Sequence, residues 1–99
     1  MIIGNAFARQ WAAELEAAAH VSTTGIRVVI THPKYRFAQP AYRNGTVRLP
    51  ACIFAPGFDW RRTWRHELQH AADDRAGLLF TLSRDKAEAR ARRAEEKVI

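Results

Sequence analysis

The chain has a single cysteine among 99 residues. One thiol excludes a disulfide framework and any cysteine-ligated structural zinc site. No apolar run reaches membrane-spanning length, because Arg9, Gln10, Glu14 and Glu16 interrupt the Ala-rich stretch near the start. The first ten residues also lack a charged start followed by an unbroken apolar segment. No export signal is expected, and the chain reads as soluble and cytoplasmic with no membrane partner. Internal repeats, low-complexity linkers and a second hydrophobic block are missing too, which leaves one domain over 1–99. Large apolar side chains are scarce. Hydrophobic residues make up 47% of the chain, but much of that is Ala, which buries little area. Three Trp, five Phe and two Tyr must therefore fill most of the core. A chain this short is near the lower limit for a self-sufficient core, and a bound metal would add stability.

Acids are outnumbered by bases, ten to sixteen, for a formal charge of +6. That balance makes nucleic acid a candidate partner. The bases are mostly mixed with acids along the chain; Arg61, Arg62, Arg65 and the arginines of the last helix form the densest group. A solvated charged face accounts for the same residues without any ligand.

The order of elements points to an α+β fold. Asn5 can cap a helix over 5–20, with Phe7, Trp11, Leu15 and Ala18 on one face. After the turn at Ser22-Thr23-Thr24-Gly25, the β-branched run 26–31 predicts a strand ended by His32-Pro33. A hairpin is expected over 35–49 about Asn44-Gly45, with Pro40 and Pro50 limiting its pairing. The apolar segment 51–55 either extends the second strand or drops into the core, with Cys52 as a small buried hydrophobe. Asp59 is a candidate N-cap for a helix from Trp60 to about Ala76, stopped at Gly77. The connector 78–82 is expected to cover the core. Ser83 then caps a final helix over 84–98, whose apolar stripe is Ala87, Ala91, Ala94 and Val98.

The helix from Trp60 carries His66-Glu67-Leu68-Gln69-His70, that is, His-Glu-x-x-His. One helical turn separates the two His, the spacing at which both can grip one metal ion. Glu67, about 100° round the helix, can reach a water at that metal as a base. Trp60, Trp64, Leu68, Ala71 and Ala72 gather on one side, and His66, His70 and Asp73 on the other. One face packs; the other is free to bind.

Thr63, Trp64, Leu68, Gln69, Ala71 and Ala72 fill the flanking positions of a longer signature, and the segment resembles the active-site helix of zincin-clan zinc metallopeptidases. A catalytic zinc takes three protein ligands and leaves a position for water. The metzincin continuation after His70 and the Asn-Glu-x-x-Ser-Asp run of thermolysin-like enzymes are both missing. The nearer resemblance is to gluzincins, especially single-domain minigluzincins, and more distantly to SprT-like and ImmA/IrrE-type peptidases. In gluzincins the third ligand is a Glu on a later helix, and Glu88, set in Asp85-Lys86-Ala87-Glu88-Ala89-Arg90-Ala91, matches it best. Glu95, two turns on, is an alternative. Asp73 fits better as a group orienting a His or the final helix. An exposed Glu88 paired with Arg92 is the bland reading. Tyr35 and Tyr42 could polarise a substrate carbonyl; His20 and His32 read as structural or surface groups.

The resemblance implies a minimal zincin-like domain: N-terminal helix, small mixed sheet with a hairpin, metal helix and glutamate helix. It implies Zn2+ on His66, His70 and Glu88, Glu67 as general base, and a protein or peptide substrate lying along strand 46–49. The competing expectation is a basic nucleic-acid-binding or adaptor module whose zinc site is structural or vestigial.

Overall fold

The computed structural model describes residues 1–34 and 38–97. Tyr35 and Val98, both named above, lie outside them. Among the described residues the fold is α+β, with four α-helices and a mixed four-stranded sheet. The strands are β1 (Ile2–Ile3), β2 (Arg27–Thr31), β3 (Ala41–Arg43) and β4 (Thr46–Pro50). The helices are α1 (Ala6–Gln10), α2 (Ala12–Ala18), α3 (Trp60–Arg75) and α4 (Arg84–Ala94). Among the described residues, no helix is long and apolar enough to cross a membrane.

The sheet order is β1-β2-β4-β3, parallel across its first three strands and antiparallel at the β3–β4 hairpin. Asn44 (φ 48°) and Gly45 (φ 83°) both take left-handed backbone, the type I′ turn that matches strand twist and tolerates few other residue pairs. Strand β1 is not foreseen in the sequence, since two residues carry no period. It forms because the Ile2 and Gly4 N–H groups donate to Ile26 and Val28 carbonyls. The position of β4 corrects an expectation: it is paired on both sides, by β2 and by β3, so no peptide can join the sheet along 46–49. The hairpin is legible in sequence, but which of its strands β2 joins is settled by packing. Among the described residues, the edge strands are β1 and β3.

Alternation sets the two sheet faces. Val28 and Ile30 of β2 and Val47 and Leu49 of β4 are at most 1% exposed. They meet Ala8, Leu15, Trp64, Leu68 and Ala71 of the helices in one core. The Trp64 indole N–H donates to the Leu15 carbonyl at 2.8 Å, tying α2 to α3 within that core. The expected single N-terminal helix is instead two, broken at Trp11 (φ −107°, ψ 5°). The break lets the Trp11 ring sit 4.4 Å from Phe54 and 5.7 Å from Trp60, while Ala8 and Leu15 stay in the core.

Residues Ala51–Phe54 form a 3-10 turn, and Cys52 is exposed rather than buried, because Ala51, Ile53 and Phe54 take the inward positions. The connector after α3 is only half a cover. Leu78 and Leu79 are partly buried, but Phe80 is 90% exposed. Helix α4 starts where Ser83 accepts from the Lys86 N–H, and its Ala87, Ala91 and Ala94 are buried. Small residues there let α4 lie close against α3, which sets the depth at which its longer side chains arrive.

Candidate metal centre

Helix α3 begins at Asp59, whose carboxylate accepts the Arg61 N–H. From that start, Trp64, Leu68 and Ala71 lock one face into the core. His66 and His70 are thereby fixed on the α4 side, with ring centroids 5.1 Å apart. Their side chains are 20% and 14% exposed.

Glu88 of α4 reaches both. His66 Nε2 is 3.1 Å from Glu88 Oε2, and His70 Nε2 is 3.1 Å from Glu88 Oε1. A ligand atom from each of the three residues lies within 4.8 Å of the others. Tetrahedral zinc with bonds of about 2.0–2.2 Å needs ligand atoms roughly 3.3–3.6 Å apart, so a small opening of this trio admits such an ion. The pairing with Arg92 is not what Glu88 makes.

Glu95 lies on the other side of the imidazole. Its Oε2 is 2.8 Å from His66 Nδ1. Both neighbours are carboxylates, which only accept: a neutral His66 donates from one nitrogen, and with Nδ1–H given to Glu95 its Nε2 lone pair would face Glu88. A lone pair against an anionic oxygen is repulsive unless a proton or a cation lies between them. The same hydrogen bond orients a metal-ligating His and raises its basicity. The chemistry of this donor set fits a divalent cation. Glu95 is itself held, by Arg62 at 3.6 Å and through its carbonyl by Arg65 at 2.8 Å.

Glu67 is 7% exposed. Burial pushes its carboxyl up; His66 and the Tyr42 backbone N–H pull it down, and Glu88 adds to the rise. Burial likewise pushes His70 down, with Glu88 opposing, which favours the neutral, ligating imidazole. An open pocket of about 290 Å³ borders the pair, lined by Pro40, Thr63, His66, Glu67 and Glu95.

Asp73 is a helix anchor rather than a member of the trio. Its carboxylate accepts Arg90 Nε at 3.0 Å and Arg90 Nη2 at 2.9 Å, along with the Gln69 amide at 2.9 Å. Burial alone would raise its pKa, but the Arg90 and Gln69 hydrogen bonds outweigh that and hold it below the usual value. Arg90 is two residues from Glu88, so this clamp fixes the part of α4 that presents Glu88. Gln69, its amide committed to Asp73, accepts from His20 Nε2 at 2.9 Å. Tyr42 turns its phenol to Asp74 and accepts the Gly45 N–H at 3.0 Å, so the group offered to Glu67 is its backbone N–H. His32 packs edge-on against Phe7, outside the trio.

The sequence pattern had brought forward His66, Glu67, His70 and Glu88, and the fold brings them together. The Glu95 bond to His66 is the feature that went unread, although its seven-residue spacing from Glu88 put both on one face of α4. Gln69 as a bridge between His20 and Asp73 has no sequence signal. Comparison with protein-family models, with curated proteins and with solved structures found no match to this chain.

Proposed function

We propose that this chain is a zinc-dependent metallopeptidase, built as a minimal zincin-like domain in which α3 is the metal helix and α4 the glutamate helix. One observation carries the reading: His66 Nε2, His70 Nε2 and both Glu88 oxygens converge beside a buried carboxyl, Glu67. His66, His70 and Glu88 would hold the ion, with Glu95 orienting His66 through Nδ1. A zinc ion held there supplies Lewis acidity, polarising a scissile carbonyl and making water acidic near neutral pH.

The remaining steps belong to the chain's own residues. Glu67, raised by burial, takes the proton of the attacking water and passes it to the leaving amine. The substrate peptide lies in the open pocket beside β3, where Pro40 and Thr63 stand next to His66 and Glu67. A cytoplasmic setting goes with an exposed lone thiol, Cys52, which stays reduced there. The adaptor reading gains no such support. Of the arginines that would carry it, Arg62 is paired with Glu95 and Glu96, Arg65 is buried on the Glu95 carbonyl, and Arg90 is held by Asp73.

Zinc stoichiometry and cleavage of an unstructured protein substrate test the proposal together. Wild type should bind one zinc and cleave. Glu67→Ala should keep the zinc and lose cleavage, and Glu88→Ala should bind zinc weakly. A wild type that takes up no zinc overturns the assignment.

A further inference from the structure

Charge is divided unequally between the two layers of the fold. All ten acids lie in α2, in α3 or at its cap, or in α4 and the two residues after it. The stretch 17–58, which contains β2, β3 and β4, has no Asp or Glu but five Lys or Arg, leaving eleven bases against ten acids elsewhere. Nearly all of the chain's +6 is therefore in this one stretch.

Three of those bases share a surface. Val28, Ile30, Val47 and Leu49 turn toward the helices, so Arg27, Arg48 and, by register, Arg43 turn to the opposite face. Arg27 pairs with Thr46, which pairs with Arg43, and Arg48 lies two residues along β4 from Thr46. Strand spacing places their Cα atoms about 8–10 Å apart in a triangle. All three are exposed, and none of their side chains has a hydrogen bond or ion pair among the described residues. The strand residues buried in the core, Val28, Ile30, Val47 and Leu49, all point the other way, and on this face burial is limited to Pro50 at the end of β4, with Val29, Thr31 and Thr46 half-buried. Like charges so close repel, and no carboxylate among the described residues pairs with them.

We propose that the open face of the sheet binds nucleic acid through its phosphodiester backbone, with Arg27, Arg43 and Arg48 each meeting a phosphate. An exposed guanidinium donates in a planar fork that suits phosphate oxygens. The unbalanced charge also steers a polyanion to this side of the molecule and away from the acid-bearing helices. The surface differs from the one that the density of arginines along the chain suggests. Arg62 and Arg65 are committed to internal partners, whereas the sheet arginines are not. It also lies apart from the metal centre, which is built on the helices.

Fluorescence anisotropy of a labelled oligothymidylate against wild type, over a range of salt, is the test. A duplex arm would tell a single-strand site from a duplex site. Three phosphate contacts to a single strand give a log–log salt slope of about −2. Arg27→Gln/Arg43→Gln/Arg48→Gln should remove that slope and weaken binding about a hundredfold near 0.1 M salt. Each single change should flatten the slope by about 0.7. Arg61→Gln/Arg62→Gln should leave slope and affinity as in wild type, and thermal melts confirm that each variant is folded. A triple variant that keeps the wild-type slope overturns the proposal, as does loss of binding in the Arg61/Arg62 variant. So does a polyglutamate that displaces the oligonucleotide at matched charge, which would make this an acidic-peptide surface.

Discussion

The helix pair and the sheet treat charge in opposite ways. Between α3 and α4, charged groups meet partners: His66 and His70 at Glu88, His66 again at Glu95, Arg90 at Asp73, and Arg62 at Glu95 and Glu96. On the sheet, the guanidinium groups of Arg27, Arg43 and Arg48 meet no hydrogen-bond or ion-pair partner among the described residues. The difference teaches where each layer takes its stability. The sheet is held by backbone pairing and by the apolar side chains of its inner face, so its outer side chains are free to vary. The α3–α4 contact is made through alanines and polar pairs, so its geometry depends on those pairs. Substitutions should then be costly in the shared core, intermediate at the helix pair and nearly silent on the open sheet face.

The largest effect is expected in the core that both layers share. Trp64 is fully buried and its indole N–H holds the Leu15 carbonyl. Trp64→Ala should cost about 3–5 kcal/mol, a large share of what a small domain has. Thermal melting should fall by more than about 10 °C. A melt within a few degrees of wild type would mean that the helices are not anchored on the sheet as described.

Next comes the hydrogen bond behind the metal. Glu95→Ala leaves the three proposed ligands in place but removes the acceptor of His66 Nδ1–H. Zinc affinity should drop about ten- to hundredfold, the usual cost of losing a carboxylate that orients a ligating His. Competition against a chelator of known affinity measures it. An unchanged affinity would place Glu95 outside the metal's support.

The Asp73 clamp ranks close behind. Asp73→Asn weakens two charge-assisted bonds to Arg90 and is expected to cost about 2 kcal/mol in urea unfolding at neutral pH. The sign of its pH dependence follows from a folded-state pKa below the unfolded value. The stabilisation is present above that unfolded value and is lost as pH falls through the lower, folded one. Wild type and variant should therefore converge in acid. A gap that persists there would point to packing rather than charge.

How much of this was legible beforehand follows from the same division. The face of α3 announces itself, because a 3.6-residue period places Trp60, Trp64, Leu68 and Ala71 together and so forces His66 and His70 to the other side. The hairpin announces itself through Asn44-Gly45. What stays hidden is whatever depends on two distant elements meeting. Strand β1 has two residues and no pattern of its own; the insertion of β2 beside β4 depends on packing; the exposure of Cys52 follows from how a 3-10 turn rotates. The Trp11 break is a tertiary compromise in a stretch whose period reads as continuous helix. At the site, the resemblance to gluzincins put Glu88 forward, but the ring nitrogen that Glu95 would meet is fixed only by the crossing of α4 over α3.

The smallest effect sharpens the comparison at a titrating group beneath the helix pair. His20 donates to Gln69, which holds Asp73, so it connects the segment between α2 and β2 to the α4 clamp. Burial pushes its pKa down; the Gln69 hydrogen bond opposes this, while Arg65 and Lys97 push the same way as burial. A histidine whose folded pKa lies below 6.5 contributes no penalty above that value. It destabilises progressively as pH falls from 6.5 toward the folded pKa, because the unfolded chain takes up the proton first. Burial pushes His70 down too, so metal-free wild type should weaken over this range from both groups. His20→Gln should remove only its own share, making the acid limb between about pH 6.5 and 5 shallower by less than about 1 kcal/mol. Arg27→Gln on the open sheet face, by contrast, should shift stability by no more than about 0.5 kcal/mol at any pH. If Arg27→Gln changed the pH profile as much as His20→Gln did, the two layers would not be electrostatically separate, and the division of charge between them would have no consequence for folding.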